Sequence, residues 1–400
     1  MEKSGRAPVP TEKGKDTWQK CRHSGRCGSC QLLRMPYGAQ LRWKQEKVEE
    51  CMGDICHVSL IRGMDSPLYY RNKVHAVLST DKSGKPVSGN YEPGTHRVVP
   101  TRQCLLENRR ASEMIRAFVE RLPGYRLKIY NEYTGRGLLR HVLVRISEKT
   151  GQAMFTLVAT DLEFPHQKEM VRDLTEAFPE IRSVVINLNR RRTSAVLGTQ
   201  QKILYGDGYI VDELCGKRFR ISSRSFYQVN SRQTEQLYLT AIDLADPKGN
   251  ELFVDAYCGT GTIGLCAADR VHKMIGIEMN VQAVQDARGN AEMNHIRNAE
   301  FLSGEAGKVL ERLCSQRIIP DIVMMDPPRS GSTDLFLQTL RRIQPDRIVY
   351  VSCNPETLRR DVDVLRTGGL YGIEECVPFD MFPFTEHVET VVALSHQNAQ

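Results

Sequence analysis

Residues 348 to 362 read IVYVSCNPETLRRDV. Cys353 closes a run of β-branched and aromatic residues and stands directly before Asn354 and Pro355. Asn is a good N-cap and Pro suits the first helical position, so the thiol is expected where a strand ends and a helix begins. Backbone N–H groups and the helix macrodipole favour a thiolate there, and Glu356 in the first turn opposes it. A second chemical group lies in VMMDPPRSG. There Asp326 leaves a strand and Pro327–Pro328 stiffens the chain, so that polar groups hang over the sheet edge. A third is FTEHVETVVALS, which offers Glu386, His387 and Glu389 as proton acceptors; spacing alone does not choose among them.

The segment ELFVDAYCGTGTIGL places Gly259, Gly261 and Gly264 after a buried-strand run and before a helical one. Glycine permits the tight turn and the close approach of backbone to a ligand. Glu278 ends the next strand, where a carboxylate can accept both hydroxyls of an adenosine ribose. This spelling also suits NAD. Asp-Pro-Pro at a later strand end resembles methyltransferases that use S-adenosylmethionine, and a dehydrogenase has no obvious use for it.

A thiolate beside a sulfonium methyl donor suggests a specific chemistry. C5 of uracil is a poor nucleophile. Thiolate addition at C6 makes C5 enolate-like and able to capture a methyl group. A base then removes the C5 proton, and elimination frees the cysteine. Taken singly, each motif also suits a structural role: a small buried cysteine, a capping aspartate, a tight glycine turn.

The elements that must position these groups follow from periodicity. From Gln233 onward, strand-like runs (ELFVDAY, KMIGIE, DIVMMD, RIVYVS, ETVVALS) alternate with helical ones (EQLYLTAIDLA, VQAVQDARGNAEMN, 333–342, PETLRRDVDVLR). That rhythm reads as a doubly wound parallel sheet. From Leu68 to Tyr227 short β-like runs dominate, among them RHVLVRIS, AMFTLVA, SVVINLN and AVLGT, with helical stretches near 108–122 and 165–178. A helical pattern covers Ala39 to Cys56. Four hundred residues exceed one compact core at roughly 150 residues per domain. The expected division is a disordered tail over 1–18, a β-rich domain over 19–227 and a second domain over 228–400.

No apolar run approaches the roughly 18 residues needed to span a bilayer. The N-terminal residues have no apolar stretch of the kind a secretory signal carries, so a cytoplasmic protein without a membrane partner is expected. Lys+Arg 55 against Asp+Glu 48 gives a net charge of +7. The excess gathers between Arg182 and Arg224, where Arg190, Arg191, Arg192, Lys202, Lys217, Arg218 and Arg220 also lie. Such a stretch suits a phosphate backbone, or is simply a solvated face. Among 12 cysteines, Cys21, Cys27 and Cys30 cluster tightly. A cytosolic setting disfavours disulfides and favours metal binding. Four Cys can hold zinc or a [4Fe-4S] cluster.

DAYCGTG, IGIE, MDPPRSG, VYVSCNP and EHVET, in this order, resemble the RNA uracil-C5 methyltransferase family, as does SFYQVN upstream. The resemblance runs from Cys21 to about Ser395. It implies a Rossmann-like methyltransferase domain preceded by an α+β, β-rich RNA-binding domain with an N-terminal iron–sulfur segment. It implies Cys353 as nucleophile and Glu389 as the base. It implies S-adenosylmethionine contacts at Gln228, Tyr257, Thr262, Glu278 and Asp326, and an adenine-reading polar position at Glu305. Cys21, Cys27, Cys30 and Cys104 then resemble the four ligands of the [4Fe-4S] cluster of the bacterial 23S rRNA members. Only 20 residues precede Cys21, which resembles the shorter rRNA members without an N-terminal OB-like barrel. tRNA-specific members usually lack the cluster, so rRNA is the expected partner, presented as a single-stranded loop with an extruded uridine to a monomeric enzyme. Competing expectations are a tRNA uracil-C5 enzyme, a methyltransferase for exocyclic base amines, which leaves Cys353 and Glu389 without a role, and an inactive RNA-binding module.

Overall fold

The structure, a computed structural model, describes residues 21–192 and 195–397. The stretch 1–18, expected as a disordered tail, lies outside them. The chain begins with helix α1 (Tyr37–Met52) and strands β1 (Lys73–Thr80), β2 (Pro86–Tyr91) and β3 (Val98–Pro100). Helix α2 (Arg109–Tyr125), strands β4 (Leu139–Ile146) and β5 (Ala153–Ala159), helix α3 (Gln167–Ala177) and strands β6 (Ile181–Leu188) and β7 (Gln200–Gly206) follow. The strands form one seven-stranded sheet, β3-β2-β1-β4-β5-β6-β7. Neighbours are antiparallel except β5 and β6, which run parallel across the α3 connection. Alternation along β1 turns Val74, Ala76 and Leu78 to one face, where they share a core with Phe118 of α2 and Met170 of α3.

A hairpin, β8 (Tyr209–Leu214) and β9 (Lys217–Ser222), leads into the second half. Its elements are α4 (Ser231–Ala245), β10 (Leu252–Ala256), α5 (Thr262–Ala267), β11 (Lys273–Glu278), α6 (Val281–Met293), β12 (Ala299–Ser303) and α7 (Ala306–Ser315). Then come β13 (Ile322–Met325), α8 (Asp334–Ile343), β14 (Arg347–Ser352), α9 (Pro355–Arg366), β15 (Tyr371–Phe379) and β16 (Glu389–His396). The second sheet has the order β12-β11-β10-β13-β14-β16-β15. Its first five strands are parallel, and the inner four, β11, β10, β13 and β14, are nearly continuous apolar runs, as burial on both faces requires. Helices α4, α5 and α6 cover one face, and α1, α7, α8 and α9 the other. The expected all-parallel sheet is therefore mixed: β16 runs antiparallel between β14 and β15. Strand order reverses between β10 and β13, the switch point at whose carboxyl edge open α/β sheets bind ligands.

Packing crosses the expected 227/228 boundary in two places. Val48 and Met52 of α1 are buried in the core beneath α9, and Ile210, Leu214, Phe219 and Ile221 of the β8–β9 hairpin are buried with α4 and α5. Lys44 of α1 is fully buried and pairs at 2.5 Å with the equally buried Asp380, which also accepts from the Tyr37 hydroxyl at 2.8 Å. This pins the 380–388 loop that leads into β16. Removing one partner strands a buried charge, which costs about 3–5 kcal/mol. Asp380→Ala should lower the urea midpoint accordingly; an unchanged midpoint in denaturation monitored by circular dichroism would contradict that role.

Candidate active site

Each chemical group leaves a strand at the same sheet edge. After β10 the chain turns sharply: Tyr257 takes φ +65°, a strained value for a non-glycine residue. Its ring packs edge-on against Phe336, and its hydroxyl lies 2.8 Å from that of Ser332. Gly261 has φ +80°, and a Cβ there would come within 2.9 Å of the Phe301 ring. At Gly264 a Cβ would lie 2.0 Å from Met274 Cε. The backbone N–H of Gly264 donates to Asp255 Oδ2 at 2.8 Å, and the buried Asp255 Oδ1 has no partner among the described residues.

The turn after β14 is built from its own side chains. Asn354 caps α9 by accepting from the N–H of Glu356 at 3.1 Å, and its amide donates to the Arg329 carbonyl at 3.3 Å. Asp361 Oδ2 accepts from the Tyr350 hydroxyl and the Ser332 N–H, both at 2.7 Å. The Asp-Pro-Pro loop is thereby tied to the helix that follows Cys353. Register completes the arrangement. In the antiparallel pair β14/β16 the last rung is Ser352 opposite Thr390, so Cys353 and Glu389 are the next facing residues.

A cleft of about 680 Å³ opens at this edge, a size suited to a nucleoside-bearing ligand. Gln228, Tyr257, Thr262, Glu278, Glu305, Asp326, Cys353 and Glu389 all line it. Glu278 accepts backbone N–H groups from Gly259 at 3.1 Å and Asn280 at 2.7 Å. Glu305 caps α7, accepting from the N–H groups of Gly307 and Lys308. Of the three candidate bases, Glu389 is buried in the cleft. Glu386 is exposed, and His387 lies 3.3 Å from the Arg329 guanidinium. Sequence reasoning missed three groups lining the cleft: Asp255, Arg329 and Phe226, whose ring is 70% exposed. Each sits inside or beside a motif already singled out.

Electrostatics depart from the expectation of a thiolate favoured by a helix end. Burial first, then Glu389 and Asp326, push the Cys353 thiol up to about 11, against the opposing pull of Arg329. Cys353 lies outside the helix, beyond the Asn354 cap, so burial and the two carboxyls outweigh the dipole. Burial lifts Asp326 to about 7. Burial, with Asp326 beside it, holds Glu389 well above the usual carboxylate range. The site thus gathers acidic groups whose ionised forms are costly until a cation enters.

Cys21, Cys30 and Cys104 pack against one small cluster containing Leu33, Tyr70 and Phe384. Burial, followed by the neighbouring Cys27 and Cys21, raises the Cys30 thiol to about 12. Cys104 is raised to about 12 by burial, then by Glu107, with Cys30 a smaller contributor. Among the described residues no three His, Cys, Asp or Glu side chains are spaced to hold a single metal ion, and no helix is long and apolar enough to cross a membrane.

Sheet order, switch point and cleft define the class: a Rossmann-like α/β domain with a ligand cleft at the carboxyl edge of its parallel strands. Residues 173–397 match the family model described as tRNA (Uracil-5-)-methyltransferase. The chain belongs to this family of S-adenosylmethionine-dependent enzymes acting on C5 of uracil in RNA. An uncharacterized RNA methyltransferase of Halalkalibacterium halodurans is 38% identical over 94% of this chain and 83% of its own length. Another, from Listeria monocytogenes, is 40% identical with the same coverage. The Pyrococcus abyssi tRNA (uracil-54, C5)-methyltransferase, solved with S-adenosyl-L-homocysteine, superposes with a TM-score of 0.75 at 28% identity, covering 93% of this chain and 86% of its own.

Proposed function

We propose that the protein methylates C5 of one uridine in RNA, 23S rRNA being the favoured class, through a covalent bond between Cys353 and uracil C6. The observation that carries this is the facing pair Cys353 and Glu389 one rung beyond the last β14/β16 pair, at the cleft. S-adenosylmethionine, when bound, supplies an electrophilic methyl group. Gln228, Tyr257, Thr262, Glu278 and Asp326 would hold it, with Glu305 beside them. The unpartnered Asp255 oxygen and the acidic cleft fit its cationic groups. Cys353, once its proton is lost to solvent, would add to C6 as the thiolate; the electron pair passes to C5, which takes the methyl group as the methyl–sulfur bond breaks and the donor leaves as a neutral thioether. Glu389 then removes the C5 proton, the C5=C6 double bond re-forms and the C6–S bond breaks. A carboxyl raised by burial is a better proton acceptor than an exposed one. Digestion of RNA to nucleosides after incubation with labelled cofactor tests the reading: label in 5-methyluridine supports it, and label in exocyclic N-methyl bases or in none refutes it.

Asp255 and Asp326 both lie at about 7, raised chiefly by burial. Both are increasingly ionised as pH rises through 7, so cationic cofactor binds more tightly at pH 8 than at pH 6, by about tenfold. Calorimetry should show this gain accompanied by proton release; a flat affinity would contradict it.

Cys21, Cys27, Cys30 and Cys104 are proposed to hold a [4Fe-4S] cluster. Burial and neighbouring groups disfavour the ionised forms of Cys30 and Cys104, and a cationic cluster would remove that cost. A four-iron cube also sets its thiolates farther apart than a single ion does. The segment packs on Phe384, so the cluster would brace the loop leading to Glu389. Anaerobically purified protein should be brown, and bleaching should lower its thermal midpoint. Colourless protein with stoichiometric zinc would overturn the assignment. A tRNA substrate is the second reading, favoured by the likeness to the Pyrococcus abyssi enzyme.

A further inference from the structure

Three loops of the first sheet meet far along the chain from the catalytic motifs. They are the β2–β3 turn, the segment before β4 and the segment after β6. Arg140, 4% exposed, ties two of them together. Its guanidinium donates to the carbonyls of Asn189 at 3.1 Å and Arg191 at 2.8 Å, pairs with Glu132 at 2.6 Å and stacks over Tyr130. On this frame stands a row of rings: Tyr91 meets His96 edge-on at 5.5 Å, and His96 meets Tyr133 at 6.1 Å. Tyr133 is 73% exposed, so its ring is open to a stacking partner. Arg136, Arg191 and Arg192 lie on the two segments that Arg140 joins, and none has an acidic partner among the described residues.

Polar groups continue toward the cleft. Arg71 lines it, and Lys73 and His75 follow at alternate positions, the His75 imidazole kept uncharged by burial, which pushes it down to about 4. Lys73 lies directly opposite Arg145 on β4, a like-charge cross-strand pair that is unfavourable by itself. The buried Arg71 Nε and His75 Nε2 atoms have no hydrogen-bond partner. β1 and β2 pair up to Val77–Gly89, which leaves His75 and Tyr91 two residues beyond the last rung on adjacent strands.

We infer that the Tyr91–His96–Tyr133 row and its flanking arginines form a stacking platform for single-stranded RNA next to the target uridine, with Lys73 and His75 lying toward the cleft. Exposed rings take bases by their π-faces, and unpaired arginines take phosphates. This deepens the RNA reading above and rests on it for the identity of the strand's end, though not for the binding itself.

The test uses the full-length, cluster-loaded protein and fluorescence anisotropy with a fluorescein-labelled 20-nucleotide single-stranded RNA and its duplex. The wild type should prefer the single strand. Tyr133→Ala and His96→Ala should each weaken binding about fivefold to a hundredfold. Tyr133→Phe should bind like the wild type, because stacking needs the ring and not the hydroxyl. With methylated RNA as readout, the alanine variants should raise KM for RNA and leave kcat and cofactor affinity unchanged. Wild-type preference for duplex, or alanine variants that bind normally, would overturn the platform. A wild type that binds the single strand through these rings yet makes no 5-methyluridine would instead defeat the catalytic reading and leave the platform standing.

Discussion

Cys353→Ala should transfer no measurable methyl group to RNA, a loss on the order of 10⁴-fold or more, while its cofactor affinity is unchanged. Without sulfur addition at C6, uracil C5 stays an unreactive vinyl carbon, and no other group at the cleft replaces the thiol. Cys258 also lines the cleft. However, it is 6% exposed, and burial followed by Asp255 and Glu278 holds its thiol well above the usual range. Residual activity in Cys353→Ala within tenfold of the wild type, measured with labelled cofactor, would remove the covalent mechanism.

Glu389→Gln should behave differently. The variant keeps the thiol and the cofactor site, so addition and methyl transfer proceed. The C5 proton then has no acceptor, and the enzyme stays bonded to its product. Turnover should fall by about 10²–10⁴-fold, while a denaturing gel shows labelled RNA retained on the protein. The free-enzyme carboxyl, raised by burial and by Asp326, favours the protonated form until charge balance in the cleft changes. Glutamine mimics that neutral form in shape but cannot accept the proton. A variant that turns over slowly without accumulating an adduct would transfer the base's role elsewhere; Glu386, exposed on the surface, and His387, held against Arg329, are less suited to it.

Much of the site was legible because its chemistry sits at the ends of apolar strand runs. Asp326, Cys353 and the glycine turn are each flagged by a change from β-branched residues to Gly, Pro or Asn, and that change is local. The facing of Cys353 and Glu389 was not legible. ETVVALS reads as a buried strand whichever neighbour it has, and its insertion between β14 and β15 is settled by long-range packing. Strand β12 and helix α7 were not anticipated: AEFLS buries only Phe301 deeply and carries little periodicity. Likewise Lys44 reads as a surface residue of an amphipathic helix. Its complete burial depends on Asp380, 336 positions away. The thiol's upward shift depends first on burial and then on two carboxyls brought in by other strands, neither of which a local pattern around Cys353 encodes.

The most direct measurement is peptide mapping of the protein after reaction with cofactor and RNA containing 5-fluorouracil, whose C5 fluorine cannot leave as a proton. The account expects a stable adduct in which the peptide bearing Cys353 carries a methylated fluorouridine. An adduct on any other residue, or methylated RNA with no adduct at all, would contradict it.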